Sequence, residues 1–346
     1  MKRTCIMLSA MVIAFALLTA SFIFPGDVRA EKKDFVFAVA LSLYPESGEA
    51  MGLNLYLSSL MGLTQIPSDL KGQLNIKIYD KAQLYATQEE CIAAVGSGAI
   101  QGTFAASTFF EQYQPQWKLV NSPGIFDSWE HFLRVMDTPP WKALQPKLAK
   151  ENGITVIQWI IDCGTWYLYT DKGPAKTLED IKGQKIRYST GEGFARALKA
   201  LGVTGIGLPY TEVVTALQTH MIDGILTDFP SARTYYNLDR YCHFVNLIPL
   251  AIQPVCFIVN TKWFESLDPK VRAAFMIPFD RIPNTNKWYK DFEQKQIQVW
   301  RDDPKTTVVE YNKEEHARWR NAIKPVIADM VKEIDPIYMK AVDDVR

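Results

Sequence analysis

The 346-residue chain is 48% hydrophobic and 22% charged, the balance of a globular protein rather than a disordered or fibrous one. Lysine plus arginine equals aspartate plus glutamate at 38 each, so no basic nucleic-acid footprint is expected. At about 150 residues per domain, the length favours two domains.

Lys2 and Arg3 precede an apolar run from Cys5 to Phe24, which Pro25-Gly26 breaks. Val28-Arg29-Ala30 then offers small residues where a signal peptidase reads, predicting a signal peptide over 1–30 and a periplasmic location. The run is long enough for an uncleaved anchor, but the polar break and cleavage site favour removal. After it no apolar run approaches membrane length, so no stable membrane insertion is expected. Cys91, Cys163, Cys242 and Cys256 remain, without CxxC or metal-type spacing. Cys91 on a helical apolar face and Cys256 in a strand-like run suggest buried free thiols. Cys242–Cys256 is the one pairing worth testing.

Residues 34–41 read as a buried strand, and a loop over 42–48 leads into an amphipathic helix to about Met61. Leu74–Tyr79 alternates like a half-buried strand. Thr87 with Glu90 forms a capping box for a helix stopping at Gly96, and residues 99–105 form the next strand. Trp129–Lys150 is helix-rich and broken by Pro139-Pro140. Ile154–Ile161 is a β-type run suited to cross between lobes, and Trp166–Tyr169 is another strand.

Residues 182–230 alternate three β-type runs with two helix-type runs, the pattern of a parallel sheet with crossover helices. Arg187 falls where the first of these strands ends. In open α/β sheets ligands collect at carboxyl strand ends, and an arginine there can grip a carboxylate with two parallel bonds. A surface arginine paired with a neighbouring acid is the plain alternative. Two β-type runs split by Pro254 follow over 246–260. Asp268-Pro269 then starts a helix ending near Pro278, residues 284–302 form a long helix with Trp288, Phe292 and Trp300, and 306–311 is a strand. A charged helix over 313–334 is interrupted by Pro325. Two β-α-β-α-β units without a low-complexity linker predict two α/β lobes, each discontinuous, with a cleft between strand ends.

No HExxH, GxSxG, Walker loop or dinucleotide glycine spacing occurs, and the glycines at 202, 205 and 207 miss the last of these. The pattern points to a binder without metal or cofactor. An exported enzyme or a ligand sensor on a bilobal fold is the alternative.

The segment GQKIRYSTGEGFARALKALGVTGIGLPYTEVVTALQTHMIDG resembles the DctP family, the periplasmic solute-binding subunits of TRAP transporters. The matching features are the arginine after Gly-x-Lys-Ile, the Ala-Leu-Lys-Ala-Leu-Gly helix end, and Glu-Val-x-x-Ala-Leu-Gln leading to Asp-Gly. The resemblance implies an α/β, two-lobed periplasmic-binding-protein-like fold with discontinuous lobes, crossing strands and a long helix bridging the lobes. On this chain that gives 31–163 with 253–292 as lobe I, and 164–252 with 293–346 as lobe II. It further implies a receptor that captures a carboxylate solute and delivers it transiently to membrane permease subunits. Arg187 would hold the carboxylate, Tyr210 would lie against the solute, Thr190 and Thr227 near it, and Ser107 on the first lobe's contact strand. Two departures stand out. Residues 223–228 read Asp-Gly-Ile-Leu-Thr-Asp where family members often carry Asp-Gly-x-Glu-Asn-Pro. Trp166-Tyr167 stands where sialic-acid-binding relatives place a second arginine. Trp166, Tyr167 and Tyr210 could form a flat apolar wall, which favours a monocarboxylate with an aromatic or otherwise apolar body over a dicarboxylate or a sugar acid. Strand alternation would, however, turn Trp166 or Tyr167 into the core, and a cleft-facing Asp228 would favour an amine or hydroxyl on the solute.

Overall fold

The buried run that follows Lys33 forms the strand around which the first sheet grows. The computed structural model describes residues 33–40, 73–160, 164–280 and 286–346. The expected signal peptide, the helix ending near Met61, Cys5, Cys163 and the Trp288 side chain lie outside that description. The strands, in chain order, begin with β1 (Lys33–Ala38), β2 (Leu74–Tyr79), β3 (Gly102–Ala106), β4 (Ile154–Ile160) and β5 (Thr165–Thr170). They continue with β6 (Lys185–Tyr188), β7 (Thr204–Gly207), β8 (Gly224–Thr227), β9 (Phe244–Ile252), β10 (Val255–Asn260) and β11 (Thr307–Val309).

The strands sort into two sheets, ordered β2-β1-β3-β10-β4 and β11-β9-β5-β8-β6-β7. In each, three strands run parallel: β2, β1 and β3 in the first, β8, β6 and β7 in the second. Antiparallel strands complete each sheet, β10 pairing with β3 and β4, and β5 pairing with β8 and β9. The chain leaves the first sheet between Ile160 and Thr165 and returns through Gln253-Pro254, so both lobes are discontinuous, as expected.

Local chemistry places the helices. Thr87 and Glu90 form the expected capping box on α1 (Gln88–Ser97), which runs past Gly96 to a left-handed Gly98. α2 (Trp129–Met136) starts at Ser128, whose side chain accepts the His131 N–H. Pro139-Pro140 opens a short turn after Thr138 rather than breaking a longer helix, since proline fits a first turn whose N–H groups have no partner. α3 (Leu144–Asn152) ends at Gly153. In the second lobe come α4 (Glu192–Ala200), α5 (Val213–Gln218) and α6 (Phe229–Thr234). α7 (Pro269–Asp280) continues through Pro278.

α8 (Asn286–Asp302) ties the lobes together: Phe292 packs in the first lobe's core, Ile297 and Trp300 in the second's. α9 (Lys313–Val331) is unbroken at Pro325, contrary to expectation. Trp319 and Ile323 anchor it on one side of the proline and Met330 on the other, and that burial outweighs one lost backbone bond. A final helix, α10 (Pro336–Asp344), was not foreseen. Ile334, Ala341 and Val342 pack in the first lobe's core, and His131 Nε2 lies 2.9 Å from the Val342 carbonyl. The tail therefore returns to the first lobe, whereas 293–346 was assigned whole to the second. A short amphipathic segment cannot by its own pattern choose between two apolar surfaces.

Cys91, Cys242 and Cys256 are free and buried, with Cys242 and Cys256 in the cores of different lobes. Burial pushes the Cys91 thiol up to about 11.

Gly153 has a φ of +69°, and a Cβ built there would lie 2.4 Å from the Gly96 carbonyl oxygen. Gly153→Ala is expected to lower the unfolding free energy by about 1–3 kcal/mol. Urea denaturation would measure this, and an unchanged midpoint would contradict the tight packing of α3 on α1.

Candidate functional site

A cavity of about 480 Å³ lies between the lobes, at the carboxyl ends of β6, β7 and β8. That placement follows from the parallel β6–β7 and β6–β8 pairings, which bring three strand ends and their loops to one edge. The first lobe closes the space with Val39, Phe104, Ala106 and Phe109. A larger cavity, about 620 Å³, sits by the opposite side of the β5–β9 crossing, against α9 and α10. Its arginines Arg320 and Arg346 are both paired with Asp127, at 3.4 and 2.8 Å.

Arg187 dominates the smaller cavity. It is 2% exposed, yet among the described residues no carboxylate stands within ion-pair distance of it. Nε and Nη2 donate to the Leu208 carbonyl at 3.0 and 2.8 Å, and Nη1 donates to the Tyr236 hydroxyl at 3.3 Å. The guanidinium carbon lies 5.6 Å from the Tyr236 ring centroid. These contacts hold the Nε edge while leaving N–H donors at the end of the fork. A buried charge served only by neutral partners is costly, and an incoming anion offsets that cost.

Six of the eight residues expected at the site line this cavity: Arg187, Tyr210, Thr227, Trp166, Thr190 and Asp228. Tyr210 donates its hydroxyl to the Ala40 carbonyl of the first lobe. Asp228 is 1% exposed and caps α6, Oδ1 accepting the Ser231 N–H at 2.7 Å and Oδ2 the Ser231 hydroxyl at 2.9 Å. Its carboxylate thus serves the start of α6 at the cavity wall. The Trp166 ring lies tilted against Phe194, centroids 4.9 Å apart, and its buried Nε1–H has no partner among the described residues.

Two expected residues do not line the cavity. Tyr167 alternates to the other face, packing 5.0 Å from Phe229 and donating its hydroxyl to Glu293 Oε1 at 2.8 Å. Burial pushes up both the Tyr167 phenol and the Glu293 carboxyl. Ser107 lies just beneath the cavity, fully buried. Its hydroxyl donates to Asn121 Oδ1 at 2.7 Å and accepts from Gln253 Nε2 at 3.2 Å. The cavity also gathers Gln253, Tyr188, Tyr235 and Tyr236, which were not foreseen. Gln253 could have been marked, since it is the polar residue at the Pro254 break between two apolar runs. Tyr236 carries no local signal.

The lobes meet beside the cavity. Glu111 of the first lobe accepts the backbone N–H of Glu192, at the start of α4, at 2.9 Å, and Asn121 Nδ2–H at 2.8 Å. Burial raises the Glu111 carboxyl above its usual range, opposed by these two bonds. Lys118 pairs with Glu192 across the same seam. Gly193 follows, where a Cβ would stand 2.6 Å from Ser122 Oγ and 2.8 Å from the Asn121 carbonyl oxygen.

The family of bacterial extracellular solute-binding proteins, family 7 (DctP), matches residues 64–334. Among curated relatives, the 2,3-diketo-L-gulonate-binding periplasmic protein YiaO of Escherichia coli is 24% identical over 285 residues, covering 80% of this chain and 83% of its own. The sugar acid binding protein DctPAm from Advenella mimigardefordensis, in complex with galactonate, superposes with a TM-score of 0.79 at 20% identity. The match covers 92% of this chain and all of that one. A TRAP periplasmic solute-binding protein from Shewanella oneidensis with bound succinate also gives 0.79, at 19% identity, covering 91% and 99%. Two mixed sheets joined by crossing strands are the shared architecture, and with the match over most of its length this chain belongs to the DctP family of bacterial extracellular solute-binding proteins.

Proposed function

We propose that this protein is the periplasmic receptor of a TRAP-type transporter, capturing a carboxylate solute on Arg187 between its lobes and delivering it to membrane permease subunits. The observation that supports this most directly is the buried guanidinium with no carboxylate partner among the described residues. The relatives named above point the same way, since 2,3-diketo-L-gulonate, galactonate and succinate are all organic acids. Closure about the β4–β5 and β9–β10 crossings removes water from the carboxylate–Arg187 pair, and a charge-assisted bond strengthens as the local dielectric falls. Delivery follows when the permease favours the open form.

The solute is a monocarboxylate with an apolar or aromatic body. Arg187 is the one cationic side chain that lines the cavity among the described residues. Around it stand Phe104, Phe109, Trp166, Tyr188 and Tyr236. A second carboxylate would need its own buried donors, and an unserved one costs more than the about 1–3 kcal/mol of a neutral group.

Arg187→Lys keeps the charge but loses the planar fork, so calorimetry should show Kd rising about tenfold or more. Unchanged affinity would remove Arg187 from the role. In a binding panel, aromatic monocarboxylates should bind and C4-dicarboxylates should not; tight succinate or malate binding without any aromatic acid would refute the solute class. Gly193→Ala places a methyl where the lobes touch, so small-angle scattering with saturating ligand should give a larger radius of gyration than for the wild type. Identical liganded profiles would show that closure does not press α4 against Asn121.

A further inference from the structure

The two cavities stand on opposite faces of one strand pair. On β5, Thr165 lines the larger, rear cavity and Trp166 the cleft cavity. At the end of β9, Ile252 lines the rear cavity and Gln253 the cleft cavity, and Thr165 pairs with Ile252 across the ladder. Successive residues of an extended chain face opposite ways. The alternation on both strands therefore makes the chain crossings a wall, with the solute cleft before it and about 620 Å³ of space behind.

Both lobes reach the rear space. Ile125 and Phe126 pack with the first lobe's core, Leu250 and Ile323 with the second's, and half-buried Ile327 of α9 packs against both. On the cleft side the lobes are in contact: Tyr210 donates to the Ala40 carbonyl, and Glu111 accepts the Glu192 N–H at 2.9 Å. Behind the wall the exposed Arg320–Asp127 pair spans the rim at 3.4 Å, and an exposed pair of this kind does little to hold the lobes. Two bodies turning about a wall between two spaces cannot narrow both. Opening the cleft brings Ile252 and Ile327 toward the opposite lining, and closing it sets them apart.

We propose that the rear cavity is the counterweight of the cleft: the apolar bulk that faces it, Ile327 above all, sets how far the lobes rest open before a solute arrives. Packed side chains resist overlap, so bulk that fits only the widened rear space penalises the open form. A chain biased toward the closed form spends less of the solute's binding energy on moving that equilibrium, and so binds it more tightly. The rear lining thus tunes affinity without touching the solute. This rests on the reading of the β4–β5 and β9–β10 crossings as the hinge, and is independent of the solute's identity.

The test is small-angle scattering of the ligand-free protein, which needs no solute. Ile327→Trp adds bulk on the rear side and should give a smaller radius of gyration than the wild type; Ile252→Phe, on the wall itself, stands in if Ile327→Trp does not fold. Gly193→Ala adds a methyl where the lobes touch on the cleft side and should give a larger radius. Combining it with the rear substitution should bring the radius back toward the wild-type value. A rear substitution that neither shrinks the wild type nor reverses the Gly193→Ala expansion overturns the counterweight and leaves hinge closure standing. If neither Gly193→Ala nor the rear substitution changes the radius, hinge closure itself fails and the counterweight fails with it.

Discussion

A positive charge held out of water by neutral partners is the constraint on which the rest of this cleft depends. Arg187 is buried against the Leu208 carbonyl and the Tyr236 hydroxyl, neither of which compensates a full charge. Such a group raises the free energy of the ligand-free state and lowers that of a state with an anion beside it. The strand edge that holds it is rigid: β6 is paired on both sides, so the guanidinium is presented without the entropy loss a loop-borne arginine would incur.

Around that anchor, polar groups are spent on structure before any are offered to a ligand. Asp228 serves α6, Tyr210 reaches Ala40 across the cleft, and Glu111 serves the first turn of α4. The connected series Gln253–Ser107–Asn121–Glu111 runs from the cavity floor at the chain crossing to the seam between lobes. Cavity and seam therefore share one hydrogen-bond network, in which breaking one contact leaves others underserved.

The ends of the chain show how lobes of this kind are locked together. α8 contributes Phe292 to one core and Trp300 to the other, while α10 carries Ala341 and Val342 back to the first lobe. Each connection ties one lobe's core to a segment of the other.

Much of this was determined by residue pattern alone. The β-α-β-α-β alternation of residues 185–227, the Thr87–Glu90 capping box, the strand-end position of Arg187 and the Pro254 break are local or nearly local features, and each appears where the pattern put it. A run of residues encodes its own periodicity, its caps and its turns. Tertiary structure decided what depends on distant partners. It turned Tyr167 to Glu293 and Trp166 to the cavity, engaged Asp228 as a cap, and carried α9 straight through Pro325. It also sent the final helix to the first lobe, and brought Gln253 and Tyr236 beside Arg187. These outcomes come from competition among surfaces and hydrogen-bonding groups far apart in sequence, whose energies exist only once the chain has brought them together.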